Sequence, residues 1–302
     1  MTAREPGTPD ALIGRLVGGK VVATEHARWG FSNRTDLVTT ADGRRFAVGQ
    51  PGRGPLARHR VRITRLLPPL LDAAGIPTPR LVAADPDAHP PLIITAFVAG
   101  TPGPELLADP ADAIALATGM GRLARRLREV PPERCPLPST WADPVRLASI
   151  AGRWLGRVHP ALEPGTVTAI GNAIARLPAL FAGRRAVLAH GDWVPANVIV
   201  DRGRVVAVLD WEFTRLADPL FDIAWWGWIV SFHHPDAHHR AWPAFLEAAA
   251  VRPDLATSER LRVLVALRLL EALAAASRTG DRAATSAWAE RLRRTLEPGA
   301  GP

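Results

Sequence analysis

The hydrophobic period of this chain changes once, and that change limits the folds open to it. Up to Gly100 the apolar residues fall in short β-branched or extended runs, at 21–24, at 37–40, at 45–48 after an Asp42-Gly43 turn, and at 91–98. Beyond Asp109 they recur at helical spacing, over 112–130, 166–181, 258–276 and 283–296. Between the two regimes lies Gly100-Thr101-Pro102-Gly103-Pro104, with the composition of a connector. An early helix is expected over 57–74, kinked or divided by Pro68 and Pro69 and ended by Gly75 and Pro77. A late β insertion is expected at 198–200 and 205–209 around the turn Asp201-Arg202-Gly203-Arg204. The expected architecture is α+β: a small antiparallel-sheet lobe over 1–98 and a larger, mainly helical lobe over 99–302 that carries a short β-hairpin.

Composition narrows the classes of function. At 302 residues, 47% apolar and 22% charged, the chain can bury a core and is not a disordered one. The longest apolar stretch, 220–232, contains Asp222 and is too short to span a bilayer. The first residues lack the basic-then-apolar order of a signal peptide, so the expectation is a cytoplasmic protein with no membrane partner. The single cysteine, Cys135, excludes disulfides within the chain and a zinc site built mainly from thiolates. A net charge of +8 invites a nucleic-acid reading. However, residues 1–100 carry 13 basic and 8 acidic side chains and the remainder 24 and 21, so neither part is a polycation and no specific nucleic-acid partner is expected.

The chemistry concentrates in His190-Gly191-Asp192-Trp193-Val194-Pro195-Ala196-Asn197, the hairpin that follows, and Asp210-Trp211-Glu212. Centring the hairpin on Gly203-Arg204 puts Asn197 opposite Asp210 at its open end, with Asp192 five residues before Asn197 on a loop constrained by Pro195. The expectation is that three oxygen-bearing side chains converge. An Asn amide oxygen and an Asp carboxylate are hard ligands suited to Mg2+ that also bridges phosphates, and a further carboxylate can accept a hydroxyl proton. These are the parts of a phosphoryl-transfer site of the protein-kinase kind.

These residues, with Phe213 and the downstream Asp218-Pro219-Leu220-Phe221-Asp222, resemble the signature of aminoglycoside phosphotransferases and related choline-kinase-like small-molecule kinases. More loosely, Gly30-Phe31-Ser32-Asn33 resembles that family's nucleotide loop, and Gly75-Ile76-Pro77-Thr78-Pro79 and Phe97-Val98-Ala99-Gly100 resemble the segments before and at its hinge. The resemblance implies a two-lobed protein-kinase-like fold with the active site between lobes, ATP and Mg2+ as cofactors, and transfer of the γ-phosphoryl group to a hydroxyl of a small molecule, an aminoglycoside, another antibiotic or a metabolite. It implies Asp192 as the catalytic base, Asn197 and Asp210 as metal ligands, and Ser32, Asn33, Ala96 and Val98 as nucleotide contacts. His190 would be structural, Glu212 would assist the metal or the substrate, Asp222 would brace the catalytic loop, and Trp193 would wall the substrate pocket. The basic balance counts against a polycationic acceptor.

The chain departs from the family pattern at two linked positions. The third strand places Gly49 or Gln50 where a phosphate-holding Lys or Arg is usual, and the helical Glu that partners that cation is replaced near Ile63 or Thr64. Joint loss is coherent, because a buried Glu without its cation is destabilising. Either Arg53, Arg58 or Arg62 supplies the missing charge, or the chain is a catalytically weak or silent pseudokinase that binds nucleotide or ligand. Ser32 and Asn33 also read as a plain turn, and Ala96 and Val98 as strand interior. The glycines of Thr118-Gly119-Met120-Gly121 read as close helix packing, and 233–239, rich in histidine and interrupted by Pro235, as a surface loop after a helix. Trp225, Trp226 and Trp228 read as core, and Glu247, Glu259 and Glu271 lie where the resemblance would put the acceptor site, although most of them read as solvated helix faces.

Overall fold

A computed structural model describes residues 10–26, 34–50 and 55–297. The chain divides into two compact units, residues 1–104 with 196–213, and residues 105–195 with 214–302. The hairpin segment therefore groups with the sheet-bearing unit, whereas the sequence boundary at 98/99 assigned it to the helical part.

The first unit is built on a five-stranded antiparallel sheet of β1 (Val21–His26), β2 (Arg34–Thr40), β3 (Arg45–Gln50), β4 (Leu81–Asp85) and β5 (Leu92–Ala96), in the order β1-β2-β3-β5-β4. The period-2 pattern does its expected work in β3, where Phe46 and Val48 are buried and Arg45 is exposed. With Val38, Leu92 and Ile94 they pack against Ile13 and Val17 of α1 (Asp10–Val17), a short helix the sequence reading did not anticipate. Helix α2 (Pro55–Ala73) is not divided at Pro68 and Pro69 but continues through them. Each proline removes one main-chain donor, but the buried stripe Ala57, Val61, Leu67 and Leu71 holds both halves in place. The helix then stops in a Schellman motif: Gly75 takes φ 65°, its amide donates to the Asp72 carbonyl at 2.9 Å, and the Ile76 amide reaches the Leu71 carbonyl at 2.9 Å.

The supposed connector is partly a strand. Thr101–Pro102 (β6) pairs with the first arm of the hairpin, Thr101 opposite Val200 and Pro102 opposite Ile199. Gly100, at φ 149°, permits this approach, since a Cβ there would lie 2.6 Å from the Val200 carbonyl oxygen. From the other side the Val208 amide donates to the Pro77 carbonyl at 2.8 Å, so the hairpin is fixed to the segment that follows α2.

The second unit consists of α3 (Pro110–Leu127), α4 (Pro144–Val158), α5 (Pro164–Leu180), α6 (Phe221–His233), α7 (Pro235–Ala248), α8 (Leu255–Thr279) and α9 (Arg282–Leu296). Its starts are written in the sequence as Asp followed by Pro or a helix former. Asp109 accepts from the amides of Ala111 and Asp112, Asp143 from Val145 and Arg146, Asp254 from Thr257, and Asp281 from Ala284. Pro235 acts the same way, opening α7 rather than breaking a loop, so the histidine-rich stretch is helix and not the expected loop. Gly121 is a packing residue within α3: a Cβ on it would come 2.5 Å from the Phe245 carbonyl oxygen of α7. Trp226 lies at the same junction, stacked 4.1 Å from Phe245 and donating to the Met120 sulfur at 3.3 Å. Residues 187–189 and 215–217 form a short antiparallel pair, and the residues after the first strand and before the second belong to the motif segment. Among the described residues no helix is long and apolar enough to cross a membrane.

Candidate active site

In the second unit the motif leaves its strand at Ala189 and turns at Gly191, whose φ of 87° favours glycine. Asp222, in the first turn of α6, holds this turn with both carboxylate oxygens. Oδ2 accepts from the His190 amide at 2.7 Å and Oδ1 from the Gly191 amide at 3.0 Å. Burial pushes the Asp222 carboxyl above its usual range, opposed by His190 and by those two amides. The His190 ring is fully buried, and its Nδ1 accepts from the Asp192 amide at 3.2 Å, which puts the proton of a neutral ring on Nε2. Strand, glycine turn and buried carboxylate thus bring Asp192 out at a defined place.

The indole of Trp225 fixes the Asp192 side chain, its Nε1–H donating to Oδ1 at 2.8 Å. The sequence reading puts Trp225 in the core, where it is indeed buried at 5% exposure, and Trp193 at the pocket wall. Trp193 is instead 1% exposed, edge-on to His190 at 5.6 Å, so it cannot line an open pocket. The distinction was hidden because both are tryptophans near the motif, and only the helical phase of α6, three residues on from Asp222, brings Trp225 round to Asp192.

Behind Trp225 lies a charged cluster. The Arg268 guanidinium sits 5.2 Å from the Trp225 ring centroid and donates to Glu271 at 2.9 Å, while Arg215 donates to both Glu271 oxygens at 3.0 and 3.1 Å. The Trp141 indole also donates to Glu271, at 3.3 Å. Glu271 is therefore an exception among the glutamates expected for the most part to be solvated helix faces. Burial works to raise its pKa, but Arg215 and Arg268 prevail and hold the carboxyl below the ordinary range. A carboxylate depressed in the folded state contributes stability above its unfolded pKa and loses it as pH falls through the folded one. Glu271→Gln is accordingly expected to lower stability at neutral pH by about 2 kcal/mol, a buried-pair loss reduced for partial exposure. Denaturation at pH 7 and at acid pH checks this, with the gap from wild type closing in acid.

In the first unit the hairpin register differs from expectation by one residue. Asp201 pairs with Arg204 across a two-residue turn in which Arg202 and Gly203 take φ 47° and 72°, a type I′ geometry. A bulge at Val206 then shifts the pairing so that Val198 faces Val208, and the Leu209 amide donates to the Asn197 carbonyl at 2.8 Å. Asn197 therefore faces Leu209, and Asp210 lies one residue further along. Its φ of 57° turns the chain out of the strand at that point, into a region Asp tolerates better than most residues. The Asp210 residue is exposed and Asn197 half-buried. Both supply hard oxygen donors from one hairpin mouth, and among the described residues no group of three or more His, Cys, Asp or Glu forms a metal cage. That donor set fits Mg2+, which keeps waters and takes substrate phosphates as further ligands.

Glu212, in the turn Trp211–Phe213, has a 4% exposed side chain and accepts from Arg60 of α2 at 3.1 Å. Arg60 was not among the arginines singled out from sequence. Of those, Arg62 is exposed, Arg58 is half-buried, and Arg53 lies outside the described residues, as do Ser32 and Asn33. Ile63 is core. At Gly49 a Cβ would meet nothing nearer than the Ile93 carbonyl oxygen at 3.9 Å, so crowding does not explain the absent side chain. Ala96 ends β5 with its amide committed to the Arg80 carbonyl at 2.9 Å, and Val98 follows, half-buried.

The model of the phosphotransferase enzyme family, APH, matches residues 24–262. Among solved structures the chain resembles the apoenzyme of macrolide 2′-phosphotransferase MphH from Brachybacterium faecium, at 23% identity and TM-score 0.68 over 96% of this chain and 100% of that one. It resembles the GDP complex of aminoglycoside 2′-phosphotransferase-IIIa at 17% identity and TM-score 0.72, over 91% and 92% of the two chains. A thermostable mutant of aminoglycoside phosphotransferase APH(4)-Ia matches at 16% identity and TM-score 0.72, over 97% and 100%. At these identities the likeness is one of fold, and that fold is protein-kinase-like. Over an alignment of 211 residues that covers 65% of this chain and 19% of that protein, the chain is 27% identical to mouse (Mus musculus) acyl-CoA dehydrogenase family member 10.

Proposed function

The chain belongs to the phosphotransferase enzyme family, and from that premise we propose that it is an ATP-dependent small-molecule kinase, moving the γ-phosphoryl group to a hydroxyl of an antibiotic or a metabolite. The observation that carries this reading is the hairpin mouth, where Asn197 accepts from the Leu209 amide through its main chain and Asp210 follows next, so that two residues with hard oxygen donors share one end of the ribbon. We assign Mg2+ to these two residues; when bound, it would neutralise charge on the transferring phosphates. We assign nucleotide binding to the sheet-bearing unit, with Ala96 and Val98 toward the base, and acceptor binding to the helical unit. Asp192 accepts the acceptor's hydroxyl proton as its oxygen bonds to the γ-phosphorus and the bond to the bridging oxygen of ADP breaks. The Trp225 indole holds that carboxylate in one rotamer.

Trp225→Phe, which keeps a ring but loses the donor, is expected to lower kcat about 10-fold with the KM for ATP unchanged. Steady-state kinetics check it, and a change confined to KM would remove Trp225 from the chemistry. The reading as a whole is tested by incubating the protein with γ-labelled ATP, Mg2+ and panels of aminoglycosides, macrolides, amino alcohols and sugars, and following label into acceptor. Incorporation into one class identifies the acceptor. Nucleotide binding with no transfer to any panel supports the second reading, a noncatalytic nucleotide-binding relative, which the cation-free Gly49-Gln50 segment of β3 favours.

A further inference from the structure

We propose that Arg60, a cation borne on α2, is a positioning residue that sets the metal-binding Asp210 through Glu212. The inference deepens the function proposed above and rests on its assignment of Asp210. Asp210 sits at φ 57°, where the chain leaves the strand and enters the turn 211–213, so the placing of that turn sets the placing of Asp210. Two residues on, Glu212 buries its carboxylate almost completely, and Arg60 donates to Oε2 at 3.1 Å. The same guanidinium lies 4.9 Å from the ring centroid of Phe213. One side chain from α2 thus grips two successive residues of the turn, and the Trp211 indole ties the turn back to the Val208 carbonyl at 3.1 Å. Withdrawing the cation would leave a carboxylate in a dry setting, and the turn would shift to hydrate it, carrying Asp210 along. The pairing reverses the polarity of the arrangement missing at Gly49 and Ile63: the helix supplies the cation, and the anion follows the metal-binding Asp.

The test uses Arg60→Met, which keeps length without charge, Glu212→Gln, and the double variant, with Mn2+ as an EPR-visible probe. Each single variant is expected to weaken Mn2+·ADP binding about 10-fold, the scale of losing a residue that orients a metal ligand, and to leave ADP binding in EDTA unchanged. The double variant should be no worse than the weaker single, because both remove one contact. In the ligand-free protein, amide exchange over 210–213 should quicken in both singles. Unchanged exchange there, or additive losses in the double, overturns the proposal. So does an equal loss of ADP affinity without metal in Arg60→Met, which would mean that Arg60 touches phosphate directly. If Arg60→Met does not fold, Arg60→Lys decides between the same outcomes: a partial loss confined to the metal complex supports positioning, and a loss with and without metal refutes it. Normal Mn2+·ADP affinity in Asp210→Asn would sink the metal assignment itself, a result separate from the exchange data on Arg60.

Discussion

Asp192→Asn is expected to lower kcat by about 10^3-fold while leaving the melting temperature within a degree or two of wild type, whereas Asp192→Ala should lose both activity and stability. The two variants separate because of Trp225. Its indole N–H donates to Asp192 Oδ1 at 2.8 Å, and Trp225 is 5% exposed. Asparagine still offers an oxygen there, so the donor stays satisfied and only the proton acceptor is lost. Alanine leaves a buried N–H without its acceptor, which costs about 1–3 kcal/mol. The Asp222 carboxylate holds the main chain of the loop through the amides of His190 and Gly191, contacts that neither substitution touches. Turnover assays with the acceptor found in the panel, together with thermal denaturation, check both halves. Normal turnover in Asp192→Asn would take Asp192 out of the proton path, and equal melting temperatures for the two variants would deny the Trp225 contact any weight.

Where signals are local, the sequence was readable in detail. The period-2 pattern of β3, the glycine turn at Gly43 and the long apolar phases of α3, α5, α8 and α9 depend on neighbours within a few residues, and each appears where it was expected, within a few residues at its ends. Errors arose where a residue has two local meanings. Proline reads as a breaker, but at Pro144, Pro164 and Pro235 it occupies the first turn, where no main-chain donor is needed. At Pro235 that second meaning turns an expected loop over 233–239 into the start of α7. The hairpin midpoint erred for a related reason. A symmetric count cannot foresee that Arg202 joins Gly203 at positive φ, nor that Val206 bulges, and together these move Asp210 one place beyond Asn197's partner. What lay beyond reach was long-range pairing. Arg215 and Glu271 are 56 residues apart and Arg60 and Glu212 are 152 apart, and no periodicity links them. Charge alone does not tell Arg60 from Arg53, Arg58 or Arg62 as a replacement for the cation absent at Gly49, and only the fold shows that its partner is a carboxylate.

Asp210→Asn should weaken binding of Mg2+·ATP by at least about 100-fold, more than is usual when a residue that merely orients a ligand is lost, with metal-free nucleotide binding preserved. The backbone makes this variant more informative than alanine. At φ 57° an L residue with a Cβ is disfavoured by about 1–2 kcal/mol, a penalty that Asn and Asp offset by local hydrogen bonding and that Gly escapes. Asp210→Asn is therefore expected to hold wild-type stability, Asp210→Ala to lose about 1 kcal/mol, and Asp210→Gly to match or exceed wild type in melting temperature. All three should lose the metal complex, Asp210→Ala and Asp210→Gly alike and most fully, since Asn alone keeps a neutral oxygen donor. Asp210→Ala and Asp210→Gly differ in stability but not in affinity for Mg2+·ATP, so the two effects can be read apart by calorimetry and denaturation on the same proteins. If Mg2+·ATP affinity instead followed the melting temperatures, with Asp210→Gly binding best, the turn's shape would matter and its carboxylate would not. Asn197 could then no longer be assigned a metal through its neighbour at the hairpin mouth.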